Sequence, residues 1–209
     1  MENKNTKKLN LRKQINIAAE EYSKHLAGKV FLYVYGDEYF EILFMTKQFK
    51  HLTGVASNLS ANEFYKKAKT KTLTDKQFWF DSNHLYDNAR KKLPCLCNLS
   101  ALTNNIVGVV KNVSTLTLTY KIGVTNLSFT LCLTENIDKN NNKINDLLLP
   151  RLLRVKDKSI ENSTDSEFID FIFERDASLD TYTILRYKDI NKSIPQSVSH
   201  LIDASFYDV

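Results

Sequence analysis

Apolar residues recur at helical spacing through Leu11, Ile15, Ala18, Ala19, Tyr22 and Leu26. That pattern predicts an amphipathic helix, with Asn10 able to cap its start and Gly28 its end. Two runs rich in β-branched and aromatic residues follow, 30–35 and 39–45, separated by Gly36-Asp37 as a tight turn. They read as a β-hairpin. Both faces of the hairpin are apolar, so it belongs inside a sheet covered by helices rather than at a wet edge.

Residues 46–58 form a polar connection containing Gly54, and a helical segment follows. Ser60-Ala61-Asn62-Glu63 is a capping box ahead of Phe64, Tyr65 and Ala68. Thr74-Asp75-Lys76-Gln77 repeats the pattern before Phe78, Trp79 and Phe80. Ser82 opens a helix carrying Leu85, Ala89 and Leu93, which Pro94 interrupts and Leu96, Leu99 and Leu102 continue. From Asn105 the period changes to two, predicting strands over 106–110, 116–124, 127–133, 147–155, 168–175 and 182–188. The alternation is cleanest from Leu127 to Leu133, where one face meets a core and the other meets water or a cleft. Polar loops are expected at 136–146 and 156–166. The expected fold is a single α+β domain over residues 1–209. Its parts are an N-terminal helix and hairpin (9–45), a helical segment (60–103), antiparallel strands (105–188) and a tail (191–209). Helices mainly from the N-terminal half would pack on an antiparallel sheet formed mainly by the C-terminal half.

Composition changes this picture little. With 43% hydrophobic and 25% charged residues in a chain of 209, intrinsic disorder is excluded for most of the length. No apolar run approaches the ~20 residues that span a bilayer, so no membrane role is expected. The start, MENKNTKKLN, lacks the apolar core of a secretory signal. Three cysteines are too few for a disulfide framework, which points to a reduced, cytoplasmic compartment. The net charge of +5 is uneven: residues 1–92 hold 17 Lys or Arg against 10 Asp or Glu, and residues 93–209 hold 12 against 14. Such an excess serves solubility, and it also suits a polyanion such as RNA.

Familiar catalytic motifs are absent: there is no Gly-rich phosphate loop, dinucleotide fingerprint, Gly-x-Ser-x-Gly elbow or His-Glu-x-x-His. Cys95, Cys97, Cys132 and His84 do not have zinc-ligand spacing, and the thiols read as small core hydrophobes. No metal site and no cofactor is expected. Phe31, Tyr33 and Tyr35 share one strand face, which either packs under helices or stacks bases. Lys66, Lys67, Lys69 and Lys71 form the densest basic cluster, either a solvated helix face or a phosphate-binding surface. Phe49-Lys50-His51-Leu52-Thr53-Gly54 follows a strand and precedes a capped helix, so His51 projects from a scaffold edge. There an imidazole can shuttle protons beside Lys50 and Thr53, or simply hydrogen-bond its own turn.

Residues 33–54 (YVYGDEYFEILFMTKQFKHLTG) and Asn62-Glu63-Phe64-Tyr65 carry a family likeness, continued at Leu149-Pro150-Arg151-Leu152-Leu153, over 168–174 and over 182–187. The chain resembles a family of phage and mobile-element proteins of low-GC bacteria, assigned to the barnase–EndoU–colicin–RelE superfamily of ribonuclease-like folds. The resemblance implies a helical part on an antiparallel sheet, with RNA lying across it. It also implies metal-independent cleavage without a cofactor. A base takes the ribose 2′-hydroxyl proton, the 2′-oxygen attacks phosphorus, an acid protonates the departing 5′-oxygen, and cations stabilise the phosphoryl charge. Carried onto this sequence, His51 becomes the general acid or base and Arg151 the phosphate clamp, with Lys50 and Thr53 as substrate contacts. Tyr187 or Arg186 on the last strand would assist. The predicted strands contain no histidine, and a second proton-transfer group is not identified. The partner would be RNA in the cytoplasm of a bacterial host. The rival reading is the same fold without its chemistry, binding and inhibiting a host defence or regulatory protein; a third is a nucleic-acid-binding module that does not cleave.

Overall fold

Strand β1 (Lys29–Tyr35) is buried on both faces, and the surrounding elements are those that cover it. The computed structural model describes residues 3–114, 119–155, 163 and 165–207. On one face Phe31, Tyr33 and Tyr35 share a core with Leu11, Ile15, Ala18 and Tyr22 of α1 (Lys4–His25) and with Leu26 just after it. Ala89, Leu93 and Leu96 of α4 (Tyr86–Cys97) join the same core. The Tyr33 hydroxyl donates to the Leu102 carbonyl at 3.0 Å, which satisfies the one polar atom that this face buries deeply. On the other face Val30, Leu32 and Val34 pack against Tyr182, Val198 and Ile202. The C-terminal segment, not a second helical layer, closes that side.

Among the described residues nine strands form one sheet in the order β11-β10-β1-β2-β8-β7-β6-β5-β9. These are β2 (Glu38–Phe44), β5 (Gly108–Ser114), β6 (Thr119–Thr125), β7 (Phe129–Ile137), β8 (Lys143–Val155), β9 (Asp165–Phe168), β10 (Phe171–Asp176) and β11 (Ile184–Lys188). The sheet is mixed, which corrects the antiparallel expectation. β2 and β8 run parallel where Ile42 faces Leu148. The hairpin lies inside the sheet, as its apolar faces predict, flanked by β10 and β8. Both points follow from burial. A strand without a polar face, as β1 is, has to sit between other strands, and the 13-residue β8 is long enough to pair with β7 and still reach β2.

Local differences have local causes. α1 starts at Lys4 with Asn3 as its cap, six residues before Asn10, and its first turns place Lys8 over the Phe78 ring at 4.9 Å. Ser60 caps α3 (Ala61–Lys69) as expected, accepting from the Glu63 amide at 3.2 Å. Thr74–Gln77 forms a turn rather than a helix, and β4 (Phe78–Trp79) pairs with β3 (Ala56–Ser57) as a separate ribbon. α4 continues through Pro94, because Ala89, Leu93 and Leu96 hold both of its halves on the core. The predicted strand 168–175 is split: β9 lies at one edge of the sheet beside β5, and β10 pairs with β1. β7 has no wet face along its first five residues, since Thr130 and Cys132 are buried too. The loop expected at 136–146 narrows to a turn in which Asp138 accepts from the amides of Asn140 and Asn142. The loop expected at 156–166 and residues 116–118 of one expected strand lie wholly or largely outside the described residues. Among the described residues no helix is long and apolar enough to cross a membrane.

One buried charge laces three strands. Glu174 of β10, 4% exposed, accepts from Lys29 of β1 at 2.9 Å and from Arg186 of β11 at 2.6 Å. Burial opposes its ionisation, but these two cations outweigh it and hold the carboxyl below the usual range. A depressed carboxyl pKa contributes stability above its unfolded value, about 4.3, that is lost as pH falls through the folded value. Glu174→Gln is expected to cost about 3–5 kcal/mol at neutral pH, the usual cost of breaking a buried pair. Denaturant titrations at several pH values should also show the variant losing part of the parent's acid-dependent decline.

Candidate active site

Helix α2 (Phe49–Thr53) is five residues long and held by its apolar side. Phe49 and Leu52 are fully buried, and the Phe49 ring sits edge-on to Tyr22 at 5.5 Å and to Tyr65 at 5.4 Å. Lys50 and His51 are therefore left on the outer side. Gly54 ends the helix in the left-handed region at φ 75°, which only glycine adopts without strain. Its missing Cβ leaves room for the stem of Lys92, whose Cδ would lie 3.2 Å from such an atom. Lys50 and Thr53 are occupied locally. The Lys50 ammonium donates to the carbonyls of Ser57 and Leu59 at 3.1 and 2.7 Å, and the buried Thr53 hydroxyl donates to the Lys50 carbonyl at 2.7 Å.

α2 and α4 both pack on β8, and the β7–β8 ladder is irregular at that strand. Cys132 faces Leu152 and Leu133 faces Pro150, so Arg151 is the extra residue of a β-bulge. Bulges re-aim side chains and recur beside active sites. Arg151 shares a cavity of about 250 Å3 with His51, His84, Asn88, Lys92 and Tyr120. His51 and His84 also line a neighbouring lobe of about 390 Å3 with Lys50, Ser57, Trp79 and Asp81. Tyr120 and Arg151 line a third lobe of about 310 Å3 toward Thr134 and Glu135. Shared walls make the three lobes one groove, with His51 and Arg151 near its middle.

The charges in the groove are largely uncompensated. Among the described residues neither Arg151 nor Lys92 has an ion pair or hydrogen-bonded side-chain partner. Burial, then the nearby Arg151, Lys50 and His84, push the His51 imidazole below its ordinary pKa even though the ring is open at the cleft mouth. Burial, then Arg154, lowers the half-buried Lys92. Asp81 is the one carboxylate lining the two lobes that meet at His51. It is already engaged: its Oδ1 accepts from the amides of Asn83 and His84 at 2.9 and 2.8 Å and lies 3.0 Å from His84 Nδ1. That contact orients the His84 ring and leaves Nε2 for the cleft. A groove of cations with no counter-ion among the described residues favours an anion, and two imidazoles beside it can move protons.

The structure thus brings His51 and Arg151 together, with Lys50 beside them and Thr53 buried behind them. Tyr187 lies on β11, separated from β8 by β10, β1 and β2, packed on the helix-side core. Its neighbour Arg186 is paired with Glu174. Lys66, Lys67 and Lys69 lie on α3 outside the groove, and Lys71 pairs with Glu20 at 2.7 Å. Cys95 and Cys97 pack with the main core, while Cys132 is buried elsewhere with its thiol pushed up to about 11 by that burial. Among the described residues no three His, Cys, Asp or Glu side chains gather as a metal site requires. In the sequence Lys92 and Tyr120 carry no motif, and His84 has only an imperfect zinc-ligand spacing. One signal was present: Asn88 and Lys92, four apart, form a polar stripe on a helix whose other side is Ala89, Leu93 and Leu96.

A family model described as phage-Barnase-EndoU-ColicinE5/D-RelE like nuclease4 matches residues 14–191, a span that includes every groove residue named above. No curated protein and no solved structure matches the chain.

The electrostatic coupling can be read directly. By NMR the His51 imidazole should titrate below the ordinary value of about 6.5, and Arg151→Gln should move it upward. An unchanged His51 titration in that variant would place Arg151 out of its reach.

Proposed function

The chain belongs to the phage-Barnase-EndoU-ColicinE5/D-RelE like nuclease4 family, and from that premise we propose that it cleaves RNA by attack of the ribose 2′-hydroxyl on the adjacent phosphate, without a metal ion. The observation that carries this reading is the meeting of His51, His84, Arg151 and Lys92 in one groove, where Arg151 and Lys92 have no counter-ion among the described residues. His51, with its protonated form disfavoured, is the base: its free ring nitrogen takes the 2′-hydroxyl proton. The 2′-oxygen then bonds to phosphorus as the bond to the 5′-oxygen breaks. Arg151 and Lys92 meet the negative charge that builds on the phosphoryl oxygens, the work of preorganised donors in other phosphoryl and acyl transfers. His84, oriented by Asp81, gives its proton to the departing 5′-oxygen. The products are a 2′,3′-cyclic phosphate and a 5′-hydroxyl, and the two histidines end with their protonation states exchanged.

Charge stabilisation falls to a guanidinium and an ammonium, and the carboxylate of the two lobes that meet at His51, Asp81, already accepts from three donors. Nothing in the step calls on a divalent cation. The reading assigns no step to Tyr187 or to the lysines of α3, and it leaves Lys50 and Thr53 to fix α2, which carries His51, against the segment that follows it.

Kinetics on a single-stranded RNA in the presence of EDTA test this. His51→Asn and His84→Asn, which keep hydrogen bonding without proton transfer, should each lower kcat by about 10²–10⁴-fold. Arg151→Ala should cost about 10²–10³-fold, and the double histidine variant should fall short of the product of the single losses because the groups act as a unit. Full activity in His51→Asn, or no cleavage by the parent protein, would sink the reading.

A further inference from the structure

The lobe next to His51 contains a ring that the cleavage step does not use. Trp79, the single tryptophan of the chain, is 41% exposed, whereas the aromatics on either side of it turn inward. Phe78 is fully buried, and Phe80 lies edge-on to Phe78 at 6.2 Å and to Tyr86 at 5.3 Å. Strand alternation in β4 puts Phe78 in the core and Trp79 on the groove side. The wall under the indole is fixed. Trp79 pairs with Ala56, Ser57 Oγ donates to the Gln77 carbonyl at 2.6 Å, and the Lys50 ammonium ties down the carbonyls of Ser57 and Leu59. The lobe it faces, about 390 Å3, falls within the range of small-ligand pockets, roughly 300–1,000 Å3.

We propose that this lobe is a nucleobase subsite, in which the base of a nucleotide flanking the scissile phosphate stacks on Trp79. It rests on the RNA-cleavage reading and adds the substrate's form to it. A wide apolar ring beside a cationic channel is how single strands are held without regard to sequence, since every base presents a π-face. A base in a duplex is already stacked on its neighbours and cannot reach the indole, so the subsite selects unpaired RNA. Lys50 at the lobe's wall is spent on two carbonyls, which leaves stacking rather than edge recognition as the dominant contact.

Because the chain has one tryptophan, its emission reports this subsite directly. The intact protein is titrated with a hexauridylate methylated at every 2′-hydroxyl, which lacks the attacking group, and with an abasic deoxyribose-phosphate hexamer of the same charge. The hexauridylate should quench Trp79 and bind about 5- to 150-fold more tightly than the abasic strand, the range that stacking of one base supplies. Measured by calorimetry, since neither variant has a tryptophan to quench, Trp79→Ala should abolish the preference in affinity and Trp79→Phe should keep much of it. Equal quenching and equal affinity for the two strands, or a Trp79→Ala variant that retains the preference, overturns the subsite and leaves the phosphate site standing. Failure of both strands to bind overturns the subsite and the cleavage reading together. Should Trp79→Ala not fold, the two-strand comparison on the unaltered protein decides alone.

Discussion

A strand without a polar face governs this fold. With Val30, Leu32 and Val34 on one side and Phe31, Tyr33 and Tyr35 on the other, β1 loses the hydrophobic contribution of several large side chains unless both faces are covered. The helices take one face and the C-terminal segment takes the other, and the neighbouring strands shield its edges. This arrangement fixes where the chemistry can occur. Helices α2 and α4, drawn onto the sheet by Phe49, Leu52, Ala89 and Leu93, both come down on β8. The outward residues of those helices, His51 and Lys92, are thereby brought to the place on β8 where Arg151, an extra residue, breaks the ladder.

That break is the second constraint. Inward and outward positions alternate along a regular strand, and an inserted residue resets the alternation. The bulge lets Leu148 and Leu153, an odd number of residues apart, both reach the helix-side core while Arg151 enters the groove. The groove then holds an arrangement that folding alone does not favour. A half-buried ammonium and an exposed guanidinium that share a cavity, with no counter-ion among the described residues, are unfavourable in the unliganded protein. A phosphate diester would offset that cost. Active sites commonly hold such locally unfavourable features where the surrounding scaffold fixes them. Here the scaffold is the aromatic cluster of Tyr22, Phe49 and Tyr65 beneath α2.

Local patterns carried much of this fold in the sequence. The spacing of Leu11 to Leu26, the Gly36-Asp37 turn and the Ser60 capping box each rest on contacts within one element, and each appears in the structure. What depended on distant partners was hidden. Phe78-Trp79-Phe80 fits a helix or a strand equally well until Ala56 is known to lie beside Trp79. Residues 168–175 read as one strand because nothing local says that Ile169 bonds to Val107 while Asp170 bonds to Val34. The parallel pairing of β2 with β8 joins segments about a hundred residues apart and leaves no mark in either. The candidate site divides in the same way. His51 and Arg151 stood out by loop position and family likeness. Lys92, His84 and Trp79 acquire meaning only when three separate segments converge.

The central claim is that the ribose 2′-oxygen is the nucleophile, and the ends of the products record which oxygen attacked. Mass spectrometry of a short single-stranded RNA, incubated with the protein in EDTA, reads those ends directly. Fragments ending in 2′,3′-cyclic phosphate with new 5′-hydroxyls, together with an intact DNA strand of the same sequence, are the expected result. Fragments with 3′-hydroxyl and 5′-phosphate ends, or cleavage of the DNA strand, would contradict the mechanism.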